Sequence, residues 1–204
     1  MGQYFDNDVT IKSKDIDVKF SILDKKFSLK SDNGVFSKDR LDRGSEVFIK
    51  TLLSLNLGQE VLDLGCGIGV VGLSLAHFNH ANYTFIDVNE RAVELTKINI
   101  KRLNLSSRCH ALVSNIFENI KDSFDSILLN PPIRAGKKVI YQMYQDSYEH
   151  LNSGGSLFIV IRVKQGALSS FKFLQTIYED VKVIDHDKGY QIIRYKCVTS
   201  WRKI

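Results

Sequence analysis

One stretch constrains the fold more than any other: VLDLGCGIGVVGLSLA, residues 61–76. A short apolar run ends at Leu64, glycines follow at 65, 67 and 69, and a mostly apolar segment containing Gly72 continues from Val70. Glycine adopts positive φ at no steric cost and keeps the backbone bare where something must approach closely. The pattern therefore predicts a strand, a tight turn and a helix in immediate succession. A strand followed by a helix is half of a βαβ unit, so the rest of the chain should repeat the alternation and build a parallel sheet.

It does so from residue 60 onward. EVLDL (60–64), YTFID (83–87), CHALV (109–113), FDSILL (124–129) and SLFIVI (156–161) are apolar runs bounded by Gly, Asn or Asp. Longer segments lie between them. NERAVELTKINIKRLNL has Asn89 as N-cap and places Ala92, Thr96, Asn99 and Leu103 on one helical face. DRGSEVFIKTLLSLNL sets Val47, Leu52 and Leu55 on one side. Two segments depart from the alternation. VKVIDHDKGYQIIRYKCV reads as strand, glycine turn, strand, an antiparallel hairpin at the sheet edge. DIDVKFSILDKKFSLKSDNGVFS alternates apolar and polar residues like a β-meander. The expected architecture is α/β: a mostly parallel, twisted sheet of about seven strands with a C-terminal antiparallel hairpin, helices on both faces and an N-terminal β extension. One domain is expected over 1–204, with 1–38 the extension and 39–204 the core.

Composition narrows the classes. No run of eighteen apolar residues is present, as a membrane-crossing helix would need, and the N-terminus lacks a secretory pattern. The 3 cysteines, Cys66, Cys109 and Cys197, are odd in number and form no C-x-x-C, which predicts reduced thiols and a cytoplasmic protein. The 5 histidines form no metal-ligand cluster: His77 and His80 have helical i, i+3 spacing, but no carboxylate or cysteine stands near them in sequence, so no metal is expected. The net charge of +5 favours a polyanionic partner.

Gly67, Gly69 and Gly72 satisfy the dinucleotide pattern G-x-G-x-x-G, which makes a nicotinamide enzyme the rival reading. The register argues otherwise. Asp63 precedes Gly65 to give D-x-G-x-G-x-G, and a pyrophosphate gains nothing from a carboxylate there. An acid suits a ligand with a cationic amine, such as S-adenosylmethionine. Asp87, ending the second run, can accept bonds from both hydroxyls of a ribose. Asn115, after the third run, can bond an adenine edge or simply form an Asx-turn. The expected cofactor residues are Asp63, Gly65, Cys66, Gly67, Gly69, Asp87, Val88, Asn115 and Asn130. Packing and capping alone are the bland reading of the same residues.

Both prolines of the chain stand together in LLNPPIRAG, at Pro131 and Pro132. With VLDLGCGIGVVGLSLA and FIDVNERAVELTKIN, this segment resembles the motifs of class I S-adenosylmethionine-dependent methyltransferases. GVFSKDRLDRGSEVFIKTL further resembles the segment ahead of the first motif in the ribosomal RNA small-subunit methyltransferase C family. The similarity runs from about Phe27 to Cys197. It implies a Rossmann-like fold, S-adenosylmethionine as cofactor and the exocyclic N2 of a guanine in small-subunit rRNA as target. Longer members carry an additional N-terminal half, for which 204 residues leave no room. Their fourth motif residue is usually aromatic; here it is Ile133.

Such an amine is a poor nucleophile because its lone pair is delocalised into the ring. Two acceptors gripping its two N–H bonds favour the pyramidal geometry that attack requires. The Asn130 side-chain oxygen and the Pro131 carbonyl can be those acceptors, held rigid by consecutive prolines. Asn130, Pro131, Pro132 and Ile133 are the expected catalytic segment. Arg134, Lys137 and Lys138 follow at the mouth, suited to RNA phosphates. Phe36, Tyr141 or Tyr144 could supply the stacking face that Ile133 lacks. The implied partner is ribosomal RNA or the small ribosomal subunit, with a monomeric enzyme. Two alternatives share these residues: a methyltransferase for adenine N6 or a glutamine amide, and a non-catalytic ribosome-binding module. Asp63, Asp87 and Asn130 together disfavour the module.

Overall fold

The computed structural model describes residues 16–32 and 41–197; Phe36 and much of the segment before Leu41 lie outside them. In chain order the elements are β1 (Ile16–Ile22), β2 (Lys25–Ser31), α1 (Arg43–Leu52), β3 (Glu60–Leu64), α2 (Val70–Phe78), β4 (Asn82–Asp87), α3 (Glu90–Arg102), β5 (Cys109–Val113), β6 (Phe124–Leu129), α4 (Lys137–Glu149), β7 (Leu151–Arg162), α5 (Ala167–Leu174), β8 (Asp180–Asp187) and β9 (Tyr190–Lys196). Seven strands form one sheet in the order β5-β4-β3-β6-β7-β9-β8. The first five run parallel, and β9 and β8 add an antiparallel edge, the mostly parallel architecture that the alternation predicts.

Strand periodicity divides the core in two. Val61, Leu128, Phe158 and Val160 belong to the apolar cluster beneath α1, α2 and α3. Their chain neighbours Leu62, Ile127, Leu129, Leu157 and Ile159 belong to the opposite cluster, with Met143 and Tyr144 of α4 and Leu174 of α5. Successive side chains of a strand point to opposite faces, so a parallel sheet covered on both sides needs apolar residues at nearly every position.

The expected N-terminal β extension is present as a two-stranded hairpin, β1–β2, separate from the main sheet. Two boundaries differ from the expectation. Helix α1 stops at Leu52, so Leu55 lies beyond it and is 37% exposed rather than sharing a face with Val47. Strand β7 begins at Leu151, five residues before the apolar run, because Gly154 (φ +77°) and Gly155 carry the chain through an irregularity in pairing with β6. A Cβ on Gly155 would lie 2.9 Å from the Asn152 carbonyl oxygen.

Candidate active site

The carboxyl ends of β3, β4, β5 and β6 surround a cleft of about 510 Å³ that opens to solvent. Its walls are Leu64 and Gly65 after β3, Ile86, Asp87 and Val88 at β4, Ser114, Asn115 and Ile116 after β5, and Asn130 and Pro132 after β6. Val139 and Met143 of α4 close one side. Ligands of open α/β sheets bind at this end of the strands.

The glycine loop is shaped by its neighbours. The backbone N–H groups of Gly65 and Cys66 both donate to the Ile86 carbonyl, at 2.8 and 2.9 Å. Gly65, Gly67 and Gly69 all have positive φ, and a Cβ on Gly67 would meet nothing within 4 Å, so the loop is bare there. Gly72 serves packing instead: its Cβ would lie 2.4 Å from the Phe85 ring. Two buried side chains of α3 pin the loop. Thr96 Oγ1 donates to the Gly67 carbonyl (2.8 Å), and Asn99 Nδ2 donates to the Ile68 carbonyl (3.0 Å).

The two acids hold different positions. Asp87 Oδ2 accepts from the Gly67 N–H and Oδ1 from the Asn89 N–H, each at 2.9 Å. A carboxylate has about four lone-pair sites, so acceptor capacity remains for two hydroxyls. Burial raises its pKa, outweighing the backbone N–H groups of Asn89, Gly67 and Val88 that lower it. Asp63 is 4% exposed and lies behind the loop, outside the cleft wall, where Oδ2 accepts from the Gly72 N–H at 2.8 Å. Burial pushes its carboxyl up to about 7, against the lowering effect of the Gly72 bond, with the Asp87 charge adding to the rise.

A raised folded-state pKa means that the native protein holds a proton that the unfolded chain has released. Asp63 therefore contributes stability at low pH that is lost as pH rises from its unfolded value through about 7. Asp63→Asn should remove this dependence: melting curves across that window should show the difference between wild type and variant changing in the variant's favour as pH rises. A difference that stays constant with pH would contradict it.

Asn130 follows β6 immediately. Its Nδ2 donates to Ser45 Oγ at 3.2 Å, which reserves the side-chain oxygen for another donor. This contact explains L-D-x-G-S, residues 41–45. Leu41 packs against the core, and Asp42 caps α1 by accepting from the Ser45 N–H at 3.0 Å. Gly44 leaves room for Tyr190, whose Cε1 would lie 3.0 Å from an added Cβ. Ser45, itself 4% exposed, meets Asn130. The Pro132 carbonyl is occupied by the Ala135 N–H (2.9 Å), whereas the Pro131 carbonyl has no hydrogen bond among the described residues.

Of the residues singled out in the sequence, Gly65, Asp87, Val88, Asn115, Asn130 and Pro132 line the cleft together. Cys66 is buried beside Thr96, and burial raises its thiol pKa well above the usual value. Gly67 and Gly69 shape the loop, and Pro131 is buried behind Asn130. Ile133 is half-buried against the α4-side core, and Arg134, Lys137 and Lys138 are exposed beyond it. Tyr144 is fully buried with its hydroxyl on Ser170 Oγ, and Tyr141 stacks on Phe173, so neither presents a ring at the cleft wall. Asn115 Nδ2 donates to Glu118 Oε1 at 2.8 Å.

Sequence reasoning passed over Ser45, Val139, Met143 and Ile116. Ile116 is β-branched with φ +52°, a conformation costing about 1–3 kcal/mol. It is held by Ser114 Oγ donating to its carbonyl at 2.9 Å. The result is an apolar residue at the cleft wall after β5. Apolar walls from Leu64, Ile86, Ile116 and Met143 with one acid at the strand end suit an adenosine: a flat ring between aliphatic surfaces and a ribose on Asp87.

Among the described residues no helix is long and apolar enough to cross a membrane. The sequence profile of the methyltransferase small domain matches residues 26–194. The uncharacterised protein YbxB of Bacillus subtilis is 41% identical over 198 residues, covering 96% of this chain and 98% of that protein. Ribosomal RNA small subunit methyltransferase C of Salmonella choleraesuis is 39% identical over 138 residues, 65% of this chain. Ribosomal RNA large subunit methyltransferase G of Pseudoalteromonas translucida is 33% identical over 73% of this chain. The chain spans only 40% and 41% of those two enzymes. The solved T. thermophilus 16S rRNA N2 methyltransferase, in complex with AdoMet and guanosine, superposes with a TM-score of 0.78 over 88% of this chain and 50% of its own, at 23% identity. The profile match across most of the chain, on a glycine loop, a second-strand acid and an Asn-Pro-Pro turn that converge on one cleft, places this chain in the methyltransferase small domain family.

Proposed function

We propose that the chain is an S-adenosylmethionine-dependent N-methyltransferase acting on an exocyclic amine of a nucleobase, with guanine N2 of small-subunit rRNA as its substrate. The observation that carries the reading is the placement of Asn130: at the cleft wall, with its amide nitrogen committed to Ser45 and its oxygen available.

The cofactor supplies a methyl group already activated on a sulfonium. The chain's own residues bind and position. Asp87 accepts from the ribose hydroxyls, Asn115 meets the adenine edge, and the aliphatic walls exclude water from the ring. Glycines 65, 67 and 69 let the backbone close on the ligand, with Asp63 bracing the start of α2 through Gly72. Asn130 Oδ1 and the Pro131 carbonyl accept the two N–H bonds of the amine and turn its lone pair toward the methyl group. Ser45 keeps the Asn130 oxygen in that orientation. Holding the two partners in line is worth on the order of 7–11 kcal/mol in favourable systems. A strong base is not required, and the surplus proton passes to water after transfer.

Three further facts favour RNA as partner. The net charge is +5, Arg134, Lys137 and Lys138 are exposed with no ion-pair partner among the described residues, and two of the three relatives named above are rRNA methyltransferases. The enzyme would work in the cytoplasm, as a monomer built on one domain, on rRNA or the small subunit.

The test is incubation with methyl-labelled cofactor and hypomethylated small subunits, free rRNA, DNA and total protein in parallel, followed by digestion. N2-methylguanosine from the small-subunit RNA is the expected product. Label found only in N6-methyladenine or in a protein glutamine would move the enzyme to another amine. A thermal shift with NAD and none with S-adenosylhomocysteine would overturn the cofactor assignment.

A further inference from the structure

Tyr190 occupies a built position on the far side of Asn130 from the cofactor cleft. The sheet order continues from β6 through β7 to β9, so the ends of those strands beside Asn130 are Arg162 and Tyr190. The two are cross-strand partners and therefore point to the same face. That face carries α1: the Tyr190 ring lies over the first helical turn, where Gly44 makes room for it, one residue before the serine that holds Asn130. The turn that presents it is equally specific. Lys188 (φ +50°) and Gly189 (φ +82°) both adopt positive φ, as a tight two-residue hairpin requires, and the Val163 N–H donates to the Gly189 carbonyl at 2.9 Å. Tyr190 is half-buried, while Arg162 and Lys164 are exposed with no ion-pair partner among the described residues.

We infer that Tyr190 and Arg162 hold a nucleotide of single-stranded RNA, its base stacked on the Tyr190 ring and its phosphate on the Arg162 guanidinium. The inference rests on the RNA reading above and adds the wall from which the strand approaches. An amine gripped by Asn130 must arrive opposite the cofactor, and this is the surface that faces that side. It also answers the aliphatic Ile133: a stacking face comes from the edge hairpin instead of from the Asn-Pro-Pro turn. Aromatic stacking suits any base, so this surface would fix the strand's position while Asn130 chooses the amine.

The experiment measures binding of a fluorescein-labelled single-stranded RNA oligonucleotide to the whole protein by anisotropy, with S-adenosylhomocysteine calorimetry as the check on folding. Tyr190→Phe should bind within about twofold of wild type, and Tyr190→Ala should bind at least about tenfold more weakly. Tyr190→Leu, which keeps the apolar contact with Gly44 without a ring face, should match the alanine variant. Arg162→Gln should flatten the log–log salt dependence by about 0.7. Leucine binding as well as tyrosine would overturn the stacking role, and an unchanged salt slope would overturn the phosphate contact. Wild-type protein that binds cofactor and not RNA would instead sink the RNA reading itself, which separates the two failures.

Discussion

Asn130→Ala should lower kcat for methyl transfer at least tenfold, and by about 10²–10³ if the amide matters as much as one oxyanion-hole donor does elsewhere. Affinity for S-adenosylhomocysteine should stay near wild type, since Asp87 and the glycine loop carry the nucleoside. The size of the effect follows from where the group acts: the bond from the amine N–H to the Asn130 oxygen strengthens as the nitrogen becomes pyramidal and positive, so its loss falls on the transition state. Ser45→Ala tests the same device from behind. The hydroxyl touches neither ligand, so its loss should reduce kcat less than the asparagine change, leave KM unmoved, and be rescued by Ser45→Thr. The double variant should be no slower than Asn130→Ala alone, because Ser45 acts through that side chain. Asn130→Ala with wild-type turnover would end the two-acceptor grip; additive effects would assign Ser45 a merely structural role.

Much of this site is legible in the sequence because it is made of local rules. A strand, a bare glycine turn and a helix are written consecutively, and the parallel strands betray themselves as apolar at nearly every position. The acid ending β4 falls where strand length puts it. The unread parts depend on partners far away in the chain. Ser45 and Asn130 are 85 residues apart, and nothing in either segment names the other. Tyr190 looks like any residue of an amphipathic strand until the sheet order brings it beside α1. The opening of β7, LNSGG, contains turn residues, yet Gly154 and Gly155 there accommodate an irregular pairing inside a strand. Asp63 reads as a ligand group by motif, and the motif gives no sign that the side chain is buried and accepts from the Gly72 N–H. Ile116 has the least helpful chemistry of all, since a β-branched residue is the last expected in a left-handed turn.

Asn99→Ala should be strongly destabilising although Asn99 lies outside the cleft wall. The side chain is fully buried and joins three elements: Oδ1 accepts from the Lys30 N–H at 2.7 Å, and Nδ2 donates to the Lys30 carbonyl and the Ile68 carbonyl, both at 3.0 Å. It thus fastens the β1–β2 hairpin and the glycine loop to the same turn of α3. Alanine is a better helix former by less than about 0.7 kcal/mol. The loss of three hydrogen bonds, the one to Ile68 buried and the two to Lys30 part-buried, at about 1 kcal/mol each and more for the buried one, outweighs that gain, so a net loss of about 2 kcal/mol or more is expected. The replacement of Lys97, an exposed residue on the same helix paired with Glu94, should cost less than about 0.5 kcal/mol. Asn99→Asp should be no better than alanine, because it keeps the acceptor for the Lys30 N–H but sets a carboxylate against two carbonyl oxygens. The consequence for function follows from the loop. With Ile68 released, amide exchange should accelerate across residues 65–69, and S-adenosylhomocysteine affinity should fall even where the protein remains folded. Loss of stability without any change in loop exchange or cofactor affinity would show that Asn99 secures the hairpin alone, and that Thr96, through its bond to the Gly67 carbonyl, suffices to hold the cofactor loop in place.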